Sequence, residues 1–283
     1  MEFVVRPPYK DILFEVKDQI GWITINRPEL LNAIRERTLD EIIHALKSTR
    51  SDPSIAAVVL RGAGNRAFCA GGEFAMMKRF NWTNAQLWNE RMLEGAMTIR
   101  GLAIPVIAMV DGWCIGGGNE IALWCDMVVA SETAVFGQSG AKVGACPTVG
   151  ATQYLSRSLG ERLAREMIFC ARRLTAQEAL HYGLVNHCVP QGELLAKTME
   201  LCESIKANSS QTIRLTKASL NQESDALYAS WRSGMEFLAH VWGSEESIEG
   251  MDAFTEKRAP DFNKFRLRNK AKIEEYLAGV DYD

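Results

Sequence analysis

The apolar positions change period several times along the chain, and each change marks an element. Residues 12–16 and 20–25 are short apolar-rich runs separated by Lys17-Asp-Gln19, which predicts two strands in a hairpin. Asn26-Arg-Pro28 ends the second strand. Leu39, Ile42, Ile43 and Leu46 recur at helical spacing. Thr38 followed three residues later by Glu41 predicts a capping box, with the helix opening at Thr38. Residues 55–60 are continuously apolar, the pattern of a strand buried on both faces. A glycine-rich loop over 62–72 follows. Residues 73–90 hold Met76, Met77, Phe80, Trp82 and Trp88 and read as core packing, with a mobile segment over a pocket as the alternative. A helix over 88–99 leads to a strand over 104–110, the triple glycine Gly116-Gly-Gly118, a helix-like run over 119–125 and a strand over 127–130.

Past these comes another glycine-punctuated loop, 136–144, then helices near 149–158 and 161–171. Thr175-Ala-Gln-Glu178 is a second capping box, and its helix ends at Gly183. Residues 184–189 form a short strand. From about Glu193 the chain reads as helical to its end, with one break near Pro260. Residues 1–10 read as a loose, proline-containing arm. Alternating strands and helices predict an α/β core over 1–192, and a helical region follows over 193–283.

Composition narrows the class. The 283 residues suffice for one large domain or a core with an appendage, and 47% apolar content is ample for that core. A net charge of −3 gives no reason to expect nucleic acid or an anionic membrane as partner. The basic cluster over 264–272 reads as a solvated helix face, with a phosphate contact as the lesser alternative. Seven cysteines, none in a CxxC pair, read as buried free thiols in a reducing compartment. No secretory pattern opens the sequence, and no apolar run reaches the roughly 18–20 residues of a membrane span. A cytoplasmic protein is expected.

Familiar chemistry is absent. There is no HExxH, no metal-like cluster, no Walker A pattern and no GxSxG, and His44, His181, His187 and His240 are scattered. Two glycine loops remain, each after an apolar strand: Cys69-Ala-Gly-Gly72 and Gly116-Gly-Gly118. A helix N-terminus after the second offers unpaired N–H groups and a positive dipole end, and Glu120 on its first turn can face the same spot. The same residues also fit a tight turn with a surface glutamate. If the loops converge, two N–H groups on one oxygen make an oxyanion hole, each donor worth roughly 3–4 kcal/mol of transition-state stabilisation.

The order and spacing of several motifs resemble the crotonase (enoyl-CoA hydratase/isomerase) superfamily over nearly the whole chain. They are Asn26-Arg-Pro-Glu with Asn32-Ala, Ala67-Phe-Cys-Ala-Gly-Gly-Glu, Gly112-Trp-Cys-Ile-Gly-Gly-Gly-Asn-Glu, Cys125-Asp, Phe136-Gly-Gln, Gly183-Leu-Val-Asn and Ala253-Phe-Thr-Glu-Lys-Arg. The resemblance implies a crotonase-like spiral of ββα turns, C-terminal helices for assembly, and a homotrimer or dimer of trimers. It implies an acyl-CoA substrate whose thioester carbonyl is held by the N–H groups of Gly72 and Gly117, with Glu120 as general acid/base. Ala70, Phe254 and Lys257 lie where the family contacts coenzyme A, which enters as part of the substrate; no other cofactor and no metal is implied.

Hydration of an unsaturated acyl-CoA is the first expectation. The second glutamate of the hydratases is replaced by Gly140. The region 137–144 and residues 256–262 look closer to the branch of 1,4-dihydroxy-2-naphthoyl-CoA synthase and ring-opening keto-acyl-CoA hydrolases. That branch's Ser-x-Asp becomes Ala145-Cys-Pro147, and its C-terminal tyrosine becomes Trp242. Ring opening or closure, and non-catalytic acyl-CoA binding, are the alternatives. Glu73, one methylene longer than the family's aspartate, reads as structural.

Overall fold

Asp18 and Gln19 both take positive φ, 53° and 65°, and so close the hairpin of β1 (Ile12–Lys17) and β2 (Ile20–Ile25) with the twist that two-residue turns require. The structure, a computed structural model, describes residues 7–147 and 149–280. The first six residues of the proline-containing arm lie outside the described residues.

From this hairpin a six-stranded sheet grows in the order β1, β2, β3 (Ala57–Gly62), β5 (Val106–Val110), β7 (Met127–Ser131), β10 (His187–Val189). Every pair beyond the hairpin is parallel. A second sheet holds β4 (Ala67–Cys69), β6 (Trp113–Ile115), β8 (Val135–Gly137) and β9 (Arg173–Thr175). Each chain turn therefore lays one strand in the large sheet, one in the small sheet, and then a helix. The turns are β3–β4 with α2 (Phe74–Met77) and α3 (Trp82–Arg100), β5–β6 with α4 (Gly117–Trp124), and β7–β8 with α5 (Ala151–Leu159). This is the expected ββα spiral.

Burial on both sheet faces explains the unbroken apolar runs. Along β3, Val58 and Leu60 join the main core while Ala57 and Val59 face a second cluster, the alternation that a strand imposes. α8 (Leu194–Lys206) covers that second face with Leu194 and Cys202. The remaining helices are α1 (Glu36–Ser48), α6 (Glu161–Phe169), α7 (Ala176–His181), α9 (Ser210–Asp225), α10 (Tyr228–Val241), α11 (Glu245–Thr255) and α12 (Asn263–Ala278).

Four expectations change. α1 opens two residues early, with Arg35 as its cap, and Thr38 sits inside the first turn, where its hydroxyl accepts the Arg35 N–H. Glu41 caps nothing. It is buried, and its carboxylate accepts the N–H groups of Lys10, Asp11 and Ile12, which docks the start of β1 on α1. The helix read from residue 88 begins at Trp82, capped by Asn81, and buries Trp88; Met76, Met77 and Phe80 are core residues, while Trp82 is half exposed. The cysteines are not uniformly buried: Cys69, Cys114 and Cys202 are, whereas Cys146 and Cys170 are exposed. The Thr175–Glu178 capping box forms as read. Among the described residues no helix is long and apolar enough to cross a membrane.

α9 is tied to the core by a buried lysine. Lys217 Nζ donates to the carbonyls of Ile99 and Ile104 and to Asp126 Oδ2 at 2.7–3.0 Å. Asp126 lies two residues past the end of α4 and also accepts the Val106 N–H. Removing one partner of a buried ion pair strands the other charge. Lys217→Met is expected to lose about 3 kcal/mol of stability in denaturant unfolding, and loss of only a few tenths would show the clamp to be idle.

Candidate active site

Residues 27–34 build the cradle in which the first glycine loop lies. Asn32, buried and at φ 56°, accepts the Arg27 N–H and donates to the carbonyls of Ala63 and Ala67. The Arg27 guanidinium donates to Ala33 O and to Glu73 Oε2, both at 2.6 Å. Glu73 is therefore structural, as read. Ile34 then pins the loop from both sides: its N–H goes to Gly71 O, and its carbonyl accepts the Glu73 N–H. Gly72 stands between those two bonds, so its own N–H points away from Ile34, as alternation along extended chain requires.

The second loop arrives from the other side. β6 runs into Gly116 at φ 54°, and α4 starts at Gly117. As the first helical residue, Gly117 has an N–H that the helix ladder leaves unused. A Cβ built on Gly117 would stand 3.7 Å from the Gly72 nitrogen, and one on Gly71 would stand 3.5 Å from the Gly117 nitrogen. The two candidate donors are thus neighbours, and the loops that the sequence shows 45 residues apart meet at one point. Gly118 explains the third glycine: a Cβ there would lie 2.0 Å from Cys69 O.

Glu120, buried on the first turn of α4, faces a cavity of about 300 Å³ that is also lined by Ala70, Gly72, Gly117 and Phe254. Five of the six residues expected at the site therefore share one cavity. Lys257 does not: it is exposed beyond the end of α11. Phe254 stands at the rim, 60% exposed, its ring tilted 43° against that of Phe74 with centroids 4.6 Å apart. The deeper wall is aromatic and apolar, made by Met77, Trp88, Met92, Leu238 and Trp242. Trp88 and Met77 are thus core residues that also line the cavity, while Met76 lies in the core alone. Leu238, Trp242 and Phe254 come from the C-terminal helical region, which completes the cavity as well as following the core.

Gly140, Ala145, Pro147 and Trp242, positions where the chain departs from the resembling families, all line this cavity. Glu120 is the one carboxylate among its described lining residues. Two buried side-chain donors there, Gln138 Nε2 and Trp242 Nε1, have no acceptor among the described residues. Sequence reasoning missed Trp113 and Arg173, which line the wall with the guanidinium 4.7 Å above the indole ring. Trp113 sits in the Gly112–Glu120 motif without a role read for it, and Arg173 sits in none; only the pairing of β6, β8 and β9 brings them together. The Cys69 thiol beneath the first loop is pushed up to about 12 by burial, so it is protonated and inert.

The profile of the family described as enoyl-CoA hydratase/isomerase matches residues 15–265, and the chain belongs to that family. An enoyl-CoA hydratase/isomerase from Xanthobacter autotrophicus is 30% identical, with 88% of this chain and 94% of that one aligned at a TM-score of 0.81. An enoyl-CoA hydratase from Mycobacterium avium subsp. paratuberculosis is 28% identical over 90% and 99% of the two chains, with a TM-score of 0.80. A carnitinyl-CoA hydratase from Mycobacterium avium is 30% identical over 89% and 98%, with a TM-score of 0.79.

Cysteine reactivity reports on the cavity. Cys146 lines it and is exposed, with burial of its Sγ surroundings raising the thiol above its ordinary value. N-ethylmaleimide at pH 8 is expected to label Cys146 and Cys170 and to spare Cys69, Cys114 and Cys202. A CoA ester at ten times its Kd should slow labelling of Cys146 roughly tenfold by mass action and leave Cys170 unchanged. Equal protection of both, read by peptide mass spectrometry, would separate this cavity from ligand binding.

Proposed function

We propose an enolate-forming acyl-CoA enzyme in which the Gly72 and Gly117 N–H groups hold the thioester oxygen and Glu120 is the single general acid and base. The convergence of two backbone donors and one carboxylate on one cavity wall carries this reading. Attack at the β carbon of an unsaturated thioester drives negative charge onto the thioester oxygen. Fixed N–H donors at that oxygen need no reorganisation as charge develops, and the N-terminus of α4 adds its dipole. Coenzyme A enters as part of the substrate. Ala70 and Phe254 are the contacts proposed for its arm, supported by their place in the cavity; Lys257 is proposed from its position in the motif alone.

Hydration is the reaction favoured. Glu120 takes a proton from water as the water oxygen bonds the β carbon, and returns a proton to the α carbon as the enolate collapses. One O–H bond breaks, one C–O and one C–H bond form, and the carbon–carbon double bond becomes single. The lone carboxylate also suits a second reading: a base that removes a proton from one carbon and returns it two carbons away shifts a double bond without water. Ring opening or closure of a cyclic keto-acyl-CoA ranks lower, because Ala145, Pro147 and Trp242 offer no proton-transfer group where that branch has Asp and Tyr. The exposed Leu220, Phe237, Leu267 and Tyr276 of the C-terminal helices support self-association as a homotrimer or dimer of trimers. Free thiols suit a reducing compartment such as the cytoplasm.

The test is mass spectrometry of unsaturated acyl-CoAs incubated with the protein in ¹⁸O-labelled water. Hydration adds one labelled water; a double-bond shift leaves the mass unchanged. Glu120→Gln is expected to lower kcat about 10²–10⁴-fold while CoA-ester binding persists, and turnover that survives it would remove Glu120 from the chemistry. Gly117→Pro deletes one donor at the first helical position, where proline is tolerated, and should cost roughly 10²–10³ in kcat with little change in Tm.

A further inference from the structure

We infer that the cavity takes an acyl-CoA whose acyl group carries a carboxylate, and that Arg173 binds that carboxylate. This rests on the reading above that the cavity holds an acyl-CoA thioester. Arg173 stands on β9 and crosses beside Gly137, where a Cβ would meet its Cγ at 3.5 Å. Its guanidinium lies 4.7 Å from the centroid of the Trp113 ring, and both residues line the cavity. Stacking on an aromatic face holds the guanidinium plane and leaves its edge N–H groups for a planar, two-oxygen partner.

No such partner is present among the described residues. Among the described residues Arg173 forms no ion pair, whereas its neighbour Arg172 bridges Glu166 and Glu178. Lys142, the other cation of the wall, is likewise without an ion pair among the described residues. Two cations therefore face a cavity with one carboxylate, Glu120, in its described lining. The wall is also rich in donors and short of acceptors, since Trp242 Nε1 and Gln138 Nε2 have none. A carboxylate brings about four lone-pair sites, which is the chemistry this wall lacks.

Position favours the acyl end over the phosphates of coenzyme A. Trp113 opens β6, and Gly117 follows four residues later, so at most roughly 14 Å of chain separates the stacked pair from the candidate oxyanion donor. Ile115, between them on the same strand face, lines the cavity too. The pyrophosphate lies at the far end of the pantetheine arm, whereas a carboxylate on a short acyl chain stays near the thioester.

Calorimetric titration of the full chain with glutaryl-CoA, with valeryl-CoA as its uncharged counterpart, and with free coenzyme A tests the assignment. The wild type is expected to bind glutaryl-CoA at least about tenfold tighter than valeryl-CoA. Arg173→Gln should bring that ratio close to one, and Arg173→Lys should keep part of it. Arg173 is exposed, and an unchanged circular dichroism spectrum and Tm would show that the variants fold. A ratio that Arg173→Gln leaves intact overturns the inference. A parallel loss for all three ligands also overturns it, by putting the guanidinium on the phosphates. Binding of valeryl-CoA and coenzyme A with no preference for glutaryl-CoA sinks this inference alone, and failure of every CoA compound to bind the wild type sinks the acyl-CoA reading with it.

Discussion

Two backbones meet at the centre of this protein at a distance no side chain permits. A Cβ at Gly118 would stand 2.0 Å from Cys69 O and 2.8 Å from the carbonyl carbon, so α4 starts directly on the end of β4. That contact fixes where the Gly117 N–H lies relative to the Gly72 N–H, and where Glu120 falls one turn below. Everything around it serves to hold two chain segments in that approach. Asn32 and Arg27 brace one loop through buried hydrogen bonds. The parallel registers β4–β6 and β6–β8 aim the other. Buried polar braces of this kind are costly when half satisfied, which is why the cradle uses both the amide and the carbonyl of the Asn32 side chain.

Local signals made much of this legible. Apolar runs, capping residues and glycine clusters give the elements in order, because each reflects a short-range constraint on the backbone. The glycines were visible as glycines, but the sequence alone left a tight turn as an equal reading. What the structure adds is tertiary: Gly71, Gly72 and Gly117 come into contact. The misread capping box at Thr38 has the same origin. Glu41 has the right spacing for a cap, yet the buried N–H groups of Lys10, Asp11 and Ile12 claim its carboxylate. A local rule loses wherever a distant segment has orphan donors to satisfy. Trp113 with Arg173 could not be read at all, since their stacking depends on β9 pairing antiparallel to β8.

The C-terminal helices bear directly on the site. α10 supplies Leu238 to the cavity wall and leads into Trp242, and Asn89 of α3 donates to the carbonyl of Met235 to fix the helix in place. α11 is locked against the loop 140–147 by two glycines: a Cβ at Gly144 would meet Glu246 O at 2.6 Å, and one at Gly250 would meet the Val143 carbonyl carbon at 2.4 Å. Phe254 at the rim is therefore tied to the loop that faces it.

The same loop shows that the lost carboxylate is a property of the backbone and not only of one side chain. Gly140 opens a short 3₁₀ turn that ends at Val143, and its carbonyl accepts the Ala145 N–H. A Cβ on Gly140 would lie 2.5 Å from Ala145 O, so the loop closes over the space a glutamate would need. Returning the carboxylate requires the turn to open, which would move Ala145, Cys146 and Pro147 on the cavity wall. The chain has thus settled into a loop shape that excludes the paired-carboxylate arrangement. The loop in this shape leaves Glu120 as the one carboxylate among the described lining residues, with Trp242, Gln138 and Arg173 also on the wall.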